Sequence, residues 1–327
     1  MIVSIFRRNY FLQFVLLLVV PVVLWLPAFI NPPALAERGV LDMPLYEAFS
    51  SLFAEKSFCA VLFAFVAIIL QGLLINYICT SYQLSQKTSY FPAFVYILLM
   101  SSDYRSMTLT SVCIANLFLI LSLFAFLKCY NKNEGLDEIY LSTVLLSVAS
   151  LFYSPVILLV FWIWVGLFNF KIYKLRSFFV SIFGFLTPYV VLMVYYYLNN
   201  EIQTIQTFFT VRFTVLPEFS FFNQPIQIVY MVYLFALSLP AFAVTYSYRN
   251  EQKLSVRKRI STILLLFVFS LLPFVYDISS CTMSLIFAPA LACMLTIFFF
   301  SVKRSIYSDV YILILFILTL VKILLNC

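Results

Sequence analysis

The chain has 327 residues, of which 64% are hydrophobic and 10% are charged, and its mean hydropathy is +1.06. A soluble globular protein has about 45–50% apolar and about 25% charged residues, so this composition excludes a soluble protein. The net charge of +7 is explained by loop cations beside anionic lipid headgroups, and nucleic acid is not predicted as a partner. The long hydrophobic runs are apolar on every face, whereas the strands of a membrane β-barrel alternate polar and apolar residues. The runs therefore predict membrane-spanning helices.

Crossings are predicted wherever about 20 apolar residues follow one another, because a helix of that length spans a hydrocarbon core of about 30 Å. Tyr90–Ser102 is predicted as an additional, short crossing. The uncharged run Ile139–Phe170 is predicted to form two helices that meet near Tyr153-Ser154-Pro155, since proline disfavours a continuous helix; a single tilted helix is the alternative. The clear crossings, in chain order, are Phe11–Ile30, Phe58–Cys79, Thr108–Leu127, Phe178–Leu198, Ile226–Tyr246, Ile260–Tyr276, Thr282–Phe300 and Val310–Leu325.

The sequence therefore predicts an all-α, polytopic transmembrane helix bundle with about eleven spans. If the N-terminus lies inside, the inner segments hold fifteen of the twenty Lys and Arg residues, as the positive-inside rule requires. The C-terminus is then outside, and the protein is predicted to be a multi-pass protein of the cell inner membrane. Residues 1–327 form one integral membrane domain with two long outer loops, Asn31–Ser57 and Asn199–Gln224. Lys322 is expected to extend its ammonium group to the outer surface, and Tyr153 is expected to anchor in the aromatic belt.

The residue inventory excludes several classes of chemistry. The chain has no histidine, which excludes a His-based metal site and a Ser/His/Asp triad. Its seven cysteines form no CxxC pair, and its five glycines form no GxGxxG or Walker-type loop. No cofactor and no metal ligand set is predicted, although a divalent metal stays open. Ionisable groups at the membrane midplane, which ion-coupled carriers use, are not expected.

Chemistry is expected in the outer loops, because the helices carry few polar groups. The first outer loop contains Glu37 and Asp42, and the spacing of apolar residues in Pro44–Phe53 predicts a helix lying flat in the membrane interface. A short outer turn carries Asp103 and Arg105. The second long outer loop carries Arg212.

This layout resembles, in outline, the GT-C membrane glycosyltransferases, which use polyprenyl-phosphate sugar donors. The resemblance implies that Asp42 or Glu37 is the base that deprotonates the acceptor and that Asp103 is an assisting acid. It implies Arg105 or Arg212 as the cation that stabilises the leaving phosphate. Solvated loop charges with no chemical role are the alternative interpretation.

Over nearly its full length, the sequence also resembles an uncharacterised family of multi-pass inner-membrane proteins from Bacteroidota. That resemblance implies location and lineage and assigns no catalytic residue. Ser177 departs from the family pattern, in which an acid usually follows the arginine. The residues that carry the resemblance are Asn76, the stretches Tyr90–Ser101 and Leu146–Pro155, Arg176, Gly184 and Pro188-Tyr189.

The leading functional prediction is a role in envelope glycan or lipid-linked sugar metabolism, with a GT-C-like glycosyltransferase as the specific hypothesis. Its partners would be membrane lipids and a polyprenyl-phosphate-linked sugar. The alternative is a non-enzymatic scaffold or lipid-handling component that binds envelope proteins, and a transporter is the third possibility. Whether the protein is an enzyme is left open by the sequence.

Overall fold

The computed structural model describes residues 6, 10–35, 41–53, 56–85, 88–132, 135–200, 225–276, 285–302 and 305–326. Within these ranges the chain forms helices and turns and no strand, so the all-α prediction is confirmed. Two short 3-10 helices, Tyr104–Ser106 and Ser154–Leu159, occur between the longer elements. The α-helices, in chain order, are α1 (Tyr10–Ile30), α2 (Pro44–Ser51), α3 (Ser57–Ser81), α4 (Phe91–Met100), α5 (Ser111–Lys128), α6 (Leu136–Phe152), α7 (Val160–Asn169), α8 (Leu175–Leu198), α9 (Pro225–Asn250), α10 (Leu254–Tyr276), α11 (Ala288–Ser301) and α12 (Ser305–Asn326).

Six of these helices, α1, α3, α5, α8, α9 and α12, are long and apolar enough to cross a membrane. This is what a helical membrane protein requires, and it supports the membrane assignment made from composition. Shorter apolar helices occupy Phe91–Met100, Ser154–Asn169 and Ala288–Ser301. The count of eleven crossings and the placement of the termini stay predictions.

Two of the shorter helices form the centre of the bundle. All ten residues of α4 are buried, and every residue of α11 except Ser301 is buried. The two helices pack against each other, and α3 and α9 cover them from either side. The rings of Phe91 and Phe299 meet edge to face, with their centroids 5.8 Å apart. A helix that is apolar on every face has to be enclosed by protein or by lipid, and here protein encloses both helices.

The run Ile139–Phe170 is divided as the proline predicts. Helix α6 ends at Phe152, Tyr153 has extended backbone angles, and the Ser154–Leu159 3-10 helix leads into α7. The prediction that Tyr153 anchors in the aromatic belt is wrong, because its side chain is only 3% exposed. The segment that precedes α2 pairs with this break: the amide N–H of Met43 donates to the carbonyl oxygen of Phe152 (3.3 Å), and the amide N–H of Ser154 donates to the carbonyl oxygen of Leu41 (3.1 Å).

Close contact between α6 and its neighbours fixes the middle of the chain. Helix α6 packs along α5 on one side and α8 on the other. At Gly184 of α8, an added Cβ would clash with the hydroxyl oxygen of Thr143, so this approach needs a residue without a side chain. The hydroxyl of Ser147 donates to the carbonyl oxygen of Phe185 across the same interface, at 2.7 Å.

The connecting segments gather at the two ends of the long helices. At one end, which we call the Asp103 end, residues 31–35, 41–53, 101–110 and 153–154 contact one another. At the other, which we call the Lys171 end, lie residues 82–85, 88–90, 129–132, 135, 170–174 and 250–253. Helix α5 runs from the first end to the second. On the predicted topology the Asp103 end faces outward and the Lys171 end faces the cell interior.

Candidate functional site

The turn between α4 and α5 carries a buried acid. Asp103 caps the 3-10 helix that follows it, because its side-chain Oδ1 accepts a hydrogen bond from the backbone N–H of Arg105 at 3.2 Å. Its backbone carbonyl accepts from the hydroxyl of Ser106 at 2.8 Å. The preceding Ser101 accepts a hydrogen bond from the indole N–H of Trp25 on α1 at 2.9 Å. These bonds hold the turn inside the bundle, and Asp103 is 1% exposed.

The partner of this acid is Lys322 on the last helix. The Nζ of Lys322 lies 3.1 Å from Oδ2 of Asp103, and the lysine side chain is fully buried. The ring of Tyr230 on α9 lies 5.2 Å from the ammonium. The prediction that Lys322 extends to the outer surface is therefore wrong. Its ammonium group is satisfied inside the protein, where a carboxylate and an aromatic face replace the water that it would otherwise need.

A buried ion pair of this kind is informative because it is energetically demanding. Removing two charges from water opposes folding, and their attraction offsets this only when the geometry is good and further partners are present. The pair joins the α4–α5 turn to α12, two parts of the chain that are far apart in sequence. Ionisable groups enclosed in this way within membrane bundles are by default candidates for a functional site.

The second acid of the site, Asp42, is held by backbone pairing. Its neighbours in the chain bond to the break between α6 and the following 3-10 helix, and Asp42 itself pairs with Tyr153 as an isolated bridge. Asp42 is 8% exposed. Helix α2 begins two residues later, with Pro44 at its first turn as predicted. The interface-lying helix is confirmed as a helix, but it packs against α6 and buries Pro44 and Tyr46 within the protein.

Tyr46 connects the two acidic regions. Its hydroxyl donates to the carbonyl oxygen of Leu109, at the end of the turn that contains Asp103, with an O···O distance of 2.9 Å. The pKa of the Tyr46 phenol is raised, chiefly by burial, and then by the nearby charge of Asp42 and by Cys113. The phenol therefore stays protonated and acts as a fixed hydrogen-bond donor between the first outer loop and the α4–α5 turn.

Comparison with known protein families, curated proteins and solved structures finds no match to this chain. The site must therefore be judged from its own geometry.

The structure brings together part of the predicted constellation. Asp103 and Arg105 share one turn, where Arg105 is exposed and Asp103 is buried. Asp42 does not lie in that turn and instead pairs with Tyr153. Its link to the turn is the hydrogen bond from the hydroxyl of Tyr46 to the carbonyl oxygen of Leu109. Glu37 and Arg212 lie outside the described residues. Within the described ranges no three Cys, Asp or Glu side chains cluster in a way that could hold a metal ion.

Sequence reasoning missed Lys322 and Tyr230 as parts of the site. A signal for Lys322 was present, because it is the only charged residue in the apolar run Val310–Leu325. A lone charge in such a run either reaches the membrane surface or finds a buried partner, and the local sequence does not distinguish the two outcomes. Tyr230 has no comparable signal, since it is one of 22 tyrosines.

Proposed function

We propose that this chain is a multi-pass protein of the cell inner membrane that acts on a lipid-linked sugar at its Asp103 end. The specific hypothesis is sugar transfer from a polyprenyl-phosphate donor in envelope glycan metabolism. Asp42 would be the base, and Arg105 or Arg212 would neutralise the leaving phosphate. Asp103 would assist by fixing the turn that presents Arg105.

The observation that carries this proposal is the enclosure of Asp42. If the acids of the first outer loop were only solvated charges, we would expect Asp42 to be exposed to water. Instead it is 8% exposed, and backbone pairing fixes its position beside the buried Tyr46. A carboxylate in a fixed position and partly removed from water is what general base catalysis requires.

The chemistry would proceed by displacement at the sugar. The carboxylate of Asp42 accepts the proton of an acceptor hydroxyl while that oxygen bonds to the anomeric carbon. The bond between the anomeric carbon and the phosphate oxygen breaks, and the polyprenyl phosphate leaves with the electron pair. A guanidinium beside the leaving group stabilises the charge that develops on it. The exposed position of Arg105, in the 3-10 helix that Asp103 caps, suits that role.

The test is Asp42→Asn in a deletion strain, with mass spectrometry of polyprenyl-linked sugars as the readout. We expect the variant to accumulate the same intermediate as the deletion, because loss of a general base lowers turnover by about 10²–10⁴-fold. Glu47→Gln is the matched control, since Glu47 is an acid of the same loop on the half-buried side of α2. Membrane abundance of both variants is measured by immunoblot. Full complementation by Asp42→Asn at normal abundance would overturn the assignment.

A non-enzymatic role is the second candidate, and the Asp103–Lys322 pair favours it. One of the predicted acids here joins the α4–α5 turn to α12, as a structural component would use it. A scaffold or lipid-handling protein predicts that Asp42→Asn complements fully while variants that break the ion pair lose function together with membrane abundance. Loss of the ion pair lowers abundance under either function, so it is Asp42→Asn that separates the two.

A further inference from the structure

The Lys171 end contains a cavity of about 330 Å³ that the proposed function does not use. It lies between the turn that follows α5 and the segment that connects α7 to α8. Three lysines line it, Lys132 from the first turn and Lys171 and Lys174 from the second. Tyr130, Asn131 and Tyr173 add hydroxyl and amide groups to the same wall. Such a lining is rich in hydrogen-bond donors and in positive charge.

Aromatic rings pack together beneath this cavity and connect its two turns. The ring of Phe170 stacks on Phe126 of α5, with the centroids 5.2 Å apart, and Tyr130 meets Phe170 edge to face at 5.5 Å. The two turns are thus fixed relative to each other before any ligand arrives. A site formed in advance loses little conformational freedom on binding.

Lys171 occupies an unusual backbone position. Helix α7 ends in a Schellman motif, in which the N–H of Ile172 donates to Leu167 and that of Lys171 donates to Phe168, both at 3.0 Å. The residue after the C-cap must then have a positive φ, and Lys171 has a φ of 63°. Glycine is the usual residue there, because a side chain in this conformation is strained. The chain instead places a cation at this point, directly at the cavity.

Positive charge accumulates around this cavity. Glu138, at the start of α6, pairs with Lys132, and further cations lie behind the α7–α8 segment. The ammonium of Lys258 donates to the carbonyl oxygen of Asn169 at 2.6 Å. The pKa of Lys258 is lowered, first by burial and then by repulsion from Lys171, Arg257 and Arg249. An anion in the cavity would relieve this repulsion.

We propose that the Lys171-end cavity binds a phosphate group, with Lys171 and Lys174 as the principal cationic contacts. Lysine is a common phosphate ligand, and a basic pocket at a helix-bundle end is suited to the phosphate of an anionic lipid headgroup. A soluble phosphate compound presents the same chemistry, so the experiment includes both sources. This inference is independent of the sugar-transfer proposal, because it concerns the other end of the bundle.

The test measures binding to the purified full-length protein at about 0.15 M salt, where long-range attraction to surface charge is screened beyond about 8 Å. Native mass spectrometry in detergent titrates cardiolipin, and isothermal calorimetry titrates inorganic pyrophosphate. The test variant is Lys171→Gly/Lys174→Gln. The glycine keeps the backbone conformation of the helix end while it removes the cation. The control is Lys128→Gln/Lys253→Gln, which removes the same charge from the same end without altering the cavity lining.

We expect the test variant to lose at least tenfold in affinity and the control to change less than twofold. Loss for cardiolipin alone identifies a headgroup site, and loss for pyrophosphate identifies a site for a soluble phosphate. Thermal unfolding of the Lys171→Gly single variant should match or exceed that of the wild type, which verifies that the fold is kept. Equal losses in the test and control variants, unchanged affinity in the test variant, or no binding of either probe by the wild type would each overturn the proposal.

Discussion

The two ends of the bundle differ in how far their charged side chains are buried. At the Asp103 end, Asp103 and Lys322 are enclosed by protein and paired with each other. At the Lys171 end, Lys171, Lys174 and Lys253 are exposed. The two ends therefore differ in the burial of their charges. An enclosed charge opposes folding unless a specific partner compensates it, whereas an exposed charge is solvated by water.

The largest expected effect comes from breaking the enclosed pair. Lys322→Met leaves the carboxylate of Asp103 buried without its cation, and losing one partner of a buried ion pair costs about 3–5 kcal/mol. We expect the variant to unfold at a clearly lower temperature in detergent, measured by fluorescence and by the monodisperse fraction on size-exclusion chromatography. The double variant Asp103→Asn/Lys322→Met should recover most of the loss.

The other end supplies the control for that experiment. Lys132→Met removes a cation whose side chain is 55% exposed, so its melting temperature should stay close to that of the wild type. If Lys322→Met and Lys132→Met melted alike, the contrast between the two ends would have no energetic basis.

An intermediate effect is expected from the turn that joins α5 to α6. Gly135 has a φ of 56°, and a Cβ built on it would lie 2.7 Å from the sulfur of Cys129. Gly135→Ala should therefore lower the free energy of unfolding by about 1–2 kcal/mol, the usual cost of a left-handed backbone for a residue with a side chain. Asn131→Gly, at a φ of 71°, is the matched control and should leave stability unchanged or slightly higher. Chemical denaturation of both variants in detergent measures the difference.

The smallest expected effect is a pH dependence at the Lys171 end. A hydrogen bond from Lys132 lowers the pKa of Glu138, and the same bond raises the pKa of Lys132. The contribution of Glu138 is thus present above its unfolded-state pKa of about 4.3 and is lost as the pH falls through its lower folded-state pKa. The contribution of Lys132 is present below its unfolded-state pKa of about 10.4 and is lost at higher pH.

Glu138→Gln tests this pH dependence. At pH 7 the variant should melt slightly below the wild type, and the gap should close as the pH falls through the lowered folded-state pKa of Glu138, because the wild-type carboxyl is then protonated as well. The gap at pH 7 should also shrink in high salt, because the lysine of the pair is exposed to solvent. A gap that persisted unchanged at low pH would show that the charge of Glu138 is irrelevant to it.

Much of the architecture was predictable, because it depends on local apolar runs. The predicted crossings that end at Ile30 and Leu198 end at those residues in the structure, and the division at Pro155 is where the prolyl ring requires it. The predicted start at Thr108 was too early by three residues. Thr110 caps the N-terminus of α5 by accepting a hydrogen bond from the N–H of Cys113, and the helix begins only at Ser111.

The missing parts of the candidate site depend on contacts between distant segments. Nothing in the sequence around Asp103 shows that Lys322 will meet it, and nothing around Asp42 shows that Tyr153 will pair with it. The lysines of the cavity were visible as loop charges. The contact between their two turns could not be predicted from the sequence. The end of α7 also lacked its usual sequence signal, because position 171 is a lysine rather than a glycine. Local patterns predict elements, whereas these sites arise from how the elements pack.

The enclosure of α4 by α11 bears on how the protein is made. Helix α4 has ten residues and is about 15 Å long, half of what a bilayer core requires, so it depends on its neighbours for cover. One of those neighbours is synthesised almost two hundred residues later. A nascent chain that stops before Ala288 leaves α4 without the surface that α11 supplies, and we expect membrane proteases to remove it. The ribosome must therefore deliver the chain at least as far as α11 before its centre can close.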